Sequence, residues 1–256
     1  QTVSLANNHI KDCGEEGVKS TIKACKENDV DFFGAGENIT KAKAPYIKIV
    51  EGYKIGIITF AEQEFNVATA TEYGSSFLDP YEDYDKIQAF KKNVDYLIVL
   101  YHGGIEYYEY PSPLLQKKCR KFIEKGADLV TCQHSHCIGT IENYSDGTIL
   151  YGQGNTLFGY REGNDSWNQG LLIKLIFNAK LEKPELELIP IHATKKGIMC
   201  MEKTKGTELL ERVNERSKNI KDAVYIERKW IAFCNAKKEL YLPFLFGFGR
   251  YFISLN

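Results

Sequence analysis

Hydrophobic and polar positions along this chain alternate between two periods. "TVSL" at Thr2–Leu5, "VDFFGAG" from Val30 and "YLIVLY" at Tyr96–Tyr101 are short apolar runs of strand length. Between them the apolar residues recur at helical spacing. Val18, Ile22 and Cys25 stand at i, i+4 and i+7 and predict a helix over 15–28. "YIKIV-EGY-KIGIITF" predicts a hairpin turning at Glu51-Gly52, and a helix around 81–93 leads into "YLIVLY". Ser112-Pro113 is a helix start, a capping residue followed by a proline that needs no N–H partner in the first turn. Leu115, Cys119, Phe122 and Ile123 then form that helix's apolar face, and "ADLVTC" is the next strand.

After this point the pattern changes. "TILYGQG", "GLLIKLIF" and "ELELIPIH" read as strands joined by turns, with no helix between them. Parallel β-α-β units first and antiparallel strands afterwards predict an α/β fold with mixed sheets. From Lys203 onward the chain is charged and helix-periodic, so residues 1–198 are expected to form the main domain and 203–256 a helical C-terminal extension. The extension ends in "LYLPFLFGFGRYF", broken by Pro243, Gly247 and Gly249, which reads as a packing arm rather than a membrane contact. No run reaches the ~20 apolar residues of a membrane-spanning helix. At the other end the chain is already strand-like by Thr2, and the expectation is that a segment precedes it.

The 33 basic and 34 acidic residues nearly cancel and no long run of one sign occurs, which argues against a nucleic-acid partner. A local metal centre would still suit an anionic small-molecule or polymer substrate. The oligomeric state is not readable. The 7 cysteines are odd in number and scattered without a Cys-x-x-Cys pair, so free thiols in a reducing, cytoplasmic setting are expected.

Of the 5 histidines, four fall just beyond the C-terminal end of an expected strand. His9 follows "TVSL", His102 follows "DYLIVLY", and His134 and His136 follow "ADLVTC". Sites in open α/β sheets form where such loops converge. In an extended segment His134 and His136 would point to the same side, as neighbouring ligands of Zn, Mn or Fe do. A structural zinc site would need a second Cys/His pair, and none exists; Cys137 also has the opposite parity to Cys132. Asn8 is a carboxamide oxygen donor beside His9, a candidate general acid, although Asn7-Asn8 alone also reads as a turn. In "YHGGIE" two glycines let the backbone approach a ligand closely, with Glu106 one turn beyond His102. Tyr107 and Tyr108 after that loop, and Trp167 in "REGNDSWNQG", are candidates for a substrate cleft and equally for packing.

The stretches "SLANNHIKDCGEEG", "FFGAGEN", "HGGIE", "GADLV..QHSH" and "ILYGQGNTLFG", in this order, resemble the CapA or poly-γ-glutamate capsule biosynthesis family. That family belongs to the calcineurin-like metallophosphoesterases. The resemblance implies an αββα sandwich of two mixed sheets and a centre of two divalent cations (Mn, Fe or Zn). It places Asn8, His102 and His134 on one cation, His136 on the other, and makes His9 the acid that protonates the leaving oxygen. Asp12, Glu106 and Glu142 would orient the ligands from behind. The superfamily's first two motifs supply an Asp and a bridging carboxylate upstream of the Asn-His motif. No acidic residue precedes His9 here, so one metal site is expected to be incomplete in this chain. The reading that follows is a metal-dependent hydrolase of the phosphoesterase type in cell-surface polymer metabolism. The alternative is a non-catalytic or single-metal binding or assembly protein.

Overall fold

The computed structural model describes residues 1–178 and 183–245, with side chains through Glu239. The first third of the chain gives β1 (Thr2–Ser4), α1 (Gly14–Glu27), β2 (Asp31–Phe33), β3 (Ala35–Gly36), α2 (Ile39–Ala42), β4 (Tyr46–Val50), β5 (Tyr53–Ala61) and β6 (Gly74–Ser75). Then come α3 (Asp83–Lys91), β7 (Tyr96–His102), α4 (Pro113–Glu124), β8 (Leu129–Gln133), β9 (Ile141–Tyr144) and β10 (Gly147–Leu150). The remainder is α5 (Asp165–Asn168), β11 (Gln169–Ile176), β12 (Glu185–Thr194), β13 (Gly197–Cys200), α6 (Lys203–Ser217) and α7 (Ala223–Leu245).

A six-stranded sheet, ordered β4-β5-β7-β8-β10-β9, forms the centre. Its four inner strands are parallel and its two edge strands antiparallel, so the loops after β5, β7 and β8 leave from one edge. β11, β12 and β13 form a separate antiparallel sheet, joined to the central one by short bridges at Ile138–Gln153 and Gly154–Gly170. β1 and β2 pair in parallel, and β3 and β6 antiparallel. The molecule is thus a mixed α/β fold of several sheets with helices at its C-terminal end.

The apolar patterns explain this arrangement. The alternation along β7 buries Leu97, Val99 and Tyr101, which pack with Phe122, Cys119 and Leu115 of α4. Phe122 stacks on Phe60 at 5.9 Å and touches the rings of Tyr84 and Tyr101. Each such ring stabilises by roughly 1.5–3 kcal/mol through burial. Ser112 caps α4 by accepting from the Leu115 N–H at 3.2 Å. The β4–β5 hairpin turns through left-handed Glu51 and Gly52, as the sequence predicts.

Two features differ from the sequence reading. A single helical turn, α5, interrupts the strands after β10, capped by Asn164, whose Oδ1 accepts from the Trp167 N–H at 3.0 Å. The segment "IENY" is strand β9, too short and polar to show a period of two by itself and formed by pairing with β10. The helices after Lys203 are packed elements. Leu209 and Val213 of α6 are buried with Ile138, Leu150 and Leu171, and Ile226 of α7 joins the core around α4. Of the aromatic C-terminal end, the helical backbone is described to Leu245; the expected arm beyond it lies outside the described residues. No helix among the described residues is long and apolar enough to cross a membrane. All seven cysteines are free thiols.

Candidate metal centre

Three neighbouring strand ends deliver the histidines. His102 is the last residue of β7, set by ladder pairing with Ala61 of β5 and Gln133 of β8. Its loop is tied back to β5, because the Glu62 N–H donates to the His102 carbonyl at 2.8 Å and the Gly104 N–H to Glu62 Oε2 at 3.2 Å. Gly104 adopts φ +123°, a region that favours glycine. Glu62 was missed by sequence reasoning; nothing local marks a glutamate one residue past a strand.

After β1 the chain turns at Asn7, whose Oδ1 accepts from the His9 N–H at 2.9 Å and whose carbonyl accepts from buried Asn66 Nδ2 at 3.0 Å. This turn buries Asn8 and places its Oδ1 3.0 Å from His102 Nε2. His9 remains exposed, with Nδ1 2.9 Å from Asp12 Oδ2.

The third element corrects the sequence reading. The "CQHSHC" segment is not extended past Gln133: His134 has φ +96° and His136 φ +54°, both left-handed and neither a glycine. Parity therefore does not decide where these side chains point. Such conformations cost about 1–3 kcal/mol each and persist only when surroundings fix them. Here buried Ser135 does so, its Oγ donating to the Cys137 carbonyl at 2.9 Å while its carbonyl accepts from the Tyr107 N–H at 2.7 Å. Gly152 passes directly beneath: a Cβ there would meet Ser135 Oγ and the Cys137 carbonyl, each at 2.7 Å. The flanking thiols belong to the core. Cys132 lies 3.5 Å from Cys119, sulfur to sulfur, and burial pushes the Cys119 thiol up.

The rings of His102 and His134 lie 5.3 Å apart, and those of His134 and His136 6.4 Å. Burial pushes the pKa of His102 down to about 3, with further lowering from His134, His136 and His9 nearby. A neutral imidazole results, the form that ligates metals. Among the described residues no three His, Cys, Asp or Glu side chains form a group able to hold a metal ion. A donor set for a cation would therefore have to include the Asn8 carboxamide, with His102 and His134 as the nitrogen donors beside it. Asn8 Oδ1 and His102 Nε2 converge at 3.0 Å with the His134 ring alongside, and His136 is a third imidazole beside them.

The remaining expected residues divide. Asp12 touches His9. Glu106 is exposed and makes no hydrogen bond or ion pair to a candidate ligand among the described residues. Glu142 is fully buried, gripped by Arg120 through Nη2 at 2.6 Å and by Tyr151 OH at 2.6 Å, so its hydrogen bonds serve the core. Tyr107 is half exposed, left-handed at φ +59°, and stands beside His136 and Trp167. Tyr108 is buried against Trp230 and Phe233 of α7. Trp167 is also buried, but it stacks on His136 at 4.8 Å. Phe158, half exposed and 4.6 Å from His136, was not singled out by the sequence. Nor was Asn155, whose Oδ1 lies 2.9 Å from His136 Nδ1.

The pattern that defines the bacterial capsule synthesis protein family PGA_cap matches residues 1–160. This chain belongs to that family. The matched span holds all four clustered histidines, Asn8 and Asn155. The PGA_cap chain is 34% identical over 172 residues to the capsule biosynthesis protein CapA of Bacillus anthracis. It is 31% identical over 170 residues to the PGA biosynthesis protein CapA of Bacillus subtilis (strain 168). Each alignment covers 64% of this chain, and it spans only 42% and 44% of those proteins. Among solved structures it is similar to a 5'-nucleotidase precursor from Thermus thermophilus, with 15% identity and a TM-score of 0.48, covering 94% of this chain and 44% of that one.

Proposed function

We propose that this PGA_cap member is a metal-dependent hydrolase of the phosphoester type, acting in the synthesis of a bacterial surface polymer of the poly-γ-glutamate kind. The observation that carries this reading is the convergence of Asn8 Oδ1 and His102 Nε2 at 3.0 Å, with the His134 ring alongside, at the carboxyl ends of adjoining strands. In this reading Asn8, His102 and His134 hold one divalent cation and His136 faces a second. Bound divalent ions of this type stabilise charge on attacking and leaving oxygens and lower the pKa of bound water towards neutrality.

The chain's own residues supply the rest. His9 is exposed at the edge of the cluster, and Asp12 accepts a hydrogen bond from its Nδ1, so that the Nε2–H of the doubly protonated ring would be the proton delivered to a leaving oxygen. A positioned acid contributes about 10²–10⁴-fold. Tyr107 and Phe158 present exposed ring faces beside His136, where the non-reacting part of a substrate would rest. The test is hydrolysis of an aryl phosphoester with Mn²⁺ supplied. Turnover that falls at least 100-fold in His9→Ala and is abolished in His134→Ala supports the reading; turnover indifferent to both overturns it.

A second reading, a single-metal or non-catalytic assembly protein, is favoured by one observation: no carboxylate joins the histidines in a metal-holding group among the described residues. Tight binding of one Mn²⁺ without hydrolysis of any phosphoester would select it.

A further inference from the structure

The Asn155 side chain makes two hydrogen bonds, one from each end of its amide. Its Nδ2 donates to the Trp167 carbonyl at 2.9 Å, and its Oδ1 faces His136 Nδ1, also at 2.9 Å. The residue is buried, on the turn after β10, and the backbone around it is crowded. A Cβ on Gly170 would meet the Asn155 carbonyl oxygen at 2.2 Å, and left-handed Gly154 passes close to the Gln169 carbonyl. The backbone that carries the amide therefore has little room to move.

These contacts fix more than a position. A carbonyl oxygen can only accept, so the end of the amide facing Trp167 must be the NH₂ group. Oδ1 then necessarily faces the imidazole, and an amide oxygen likewise can only accept. His136 must carry its proton on Nδ1. In the neutral ring the lone pair is then left on Nε2, the nitrogen at the far end of the ring. In water the opposite tautomer of a neutral imidazole predominates, so the protein has to impose this one.

We infer that Asn155 is the positioning residue of the centre: it holds His136 as the Nδ1–H tautomer and so presents Nε2 as a donor atom for a cation or for a substrate proton. The same amide ties His136 to Trp167, whose ring stacks on the imidazole at 4.8 Å. One side chain thus sets both the tautomer of the histidine and the wall behind it. The consequence for metal binding rests on the hydrolase reading; the tautomer itself does not.

The experiment is long-range ¹H–¹⁵N correlation NMR of the metal-free full chain with ¹⁵N-histidine, the His136 signals being assigned with His136→Gln. The expected spectrum shows a protonated Nδ1 and a lone-pair Nε2 at His136. In Asn155→Leu the Nε2–H form should appear, with the His192 signals and the circular dichroism unchanged as evidence of folding. Asn155→Asp, which keeps the acceptor and loses the donor to Trp167, should retain the Nδ1–H form while Trp167 fluorescence shifts. A wild-type His136 protonated on Nε2, or a tautomer unchanged in folded Asn155→Leu, overturns the inference. Zn²⁺ titration then examines the reading beneath it. Affinity should fall about 10–100-fold in Asn155→Leu, as for loss of other partners that orient metal-ligating histidines. Absence of Zn²⁺ binding in the wild type would overturn the metal-centre reading and leave the tautomer to decide on Asn155 alone.

Discussion

His102 and His134 reach the same cluster from neighbouring strands, and the backbone brings them there in opposite ways. His102 ends β7 in regular extended geometry, fixed by ladder partners on both sides, and the chain turns away only afterwards through Gly103 and Gly104. His134 lies past the end of β8 and is itself the turn, left-handed without being a glycine. At β7 the sheet places the histidine and glycines absorb the bend. At β8 the histidines carry the strain, and Ser135, Tyr107, Asn155 and the Gly152 backbone hold them in place. Strain of this kind on non-glycine residues is a mark of functional loops.

Substitutions separate the two loops. The largest expected effect comes from the scaffold that both loops share. Glu142→Gln leaves Arg120 facing a neutral partner in the core and should destabilise the fold by about 3–5 kcal/mol in urea unfolding, without altering metal affinity in the protein that remains folded. Altered affinity at intact stability would return Glu142 to a ligand-orienting role. Next is Gly152→Ala, whose Cβ collides with the loop after β8. We expect a loss of about 1–3 kcal/mol by overpacking together with a loss of metal binding, whereas Gly104→Ala should cost stability and leave binding within a few-fold. Equal binding losses in the two variants would erase the distinction between the loops.

Smaller effects probe the strain itself. His134→Gly relieves a left-handed backbone and should raise stability by about 1 kcal/mol, read as a higher midpoint in thermal unfolding, while abolishing metal binding. A lower midpoint would show that the His134 ring contributes more by packing than its backbone costs. Ser135→Ala removes one buried hydrogen bond and should destabilise by about 1 kcal/mol. Its signature is faster amide exchange confined to 134–137; uniform exchange would mean the serine does not hold the loop.

The main strand segments through β8, the face of α4 and the placement of histidines at strand ends were legible because each follows from a local period. Leu115, Cys119, Phe122 and Ile123 are buried as their spacing requires. The conformation of "CQHSHC" was not legible. No glycine or asparagine marks the left-handed residues, and the contacts that impose it come from residues 107 and 152, distant in sequence. The partners of Glu142 were not legible for a related reason: Arg120 lies 22 residues away on α4, and only the fold shows that the carboxylate is taken up by Arg120 and Tyr151. Asn155 sat inside a recognised stretch, "ILYGQGNTLFG", yet only the three-dimensional contact with His136 separates it from an ordinary turn residue.

The central claim is that the clustered side chains form a metal centre. The most direct test is metal content by elemental mass spectrometry of the protein expressed from its full-length gene and reconstituted with Mn²⁺, Fe²⁺ or Zn²⁺, with His134→Ala measured in parallel. The account predicts about two equivalents in the wild type, on the two-ion chemistry of such hydrolases, and a clear fall in the variant. One equivalent in the wild type would contradict the two-ion hydrolase reading; none, or a content unchanged by His134→Ala, would contradict the metal centre itself.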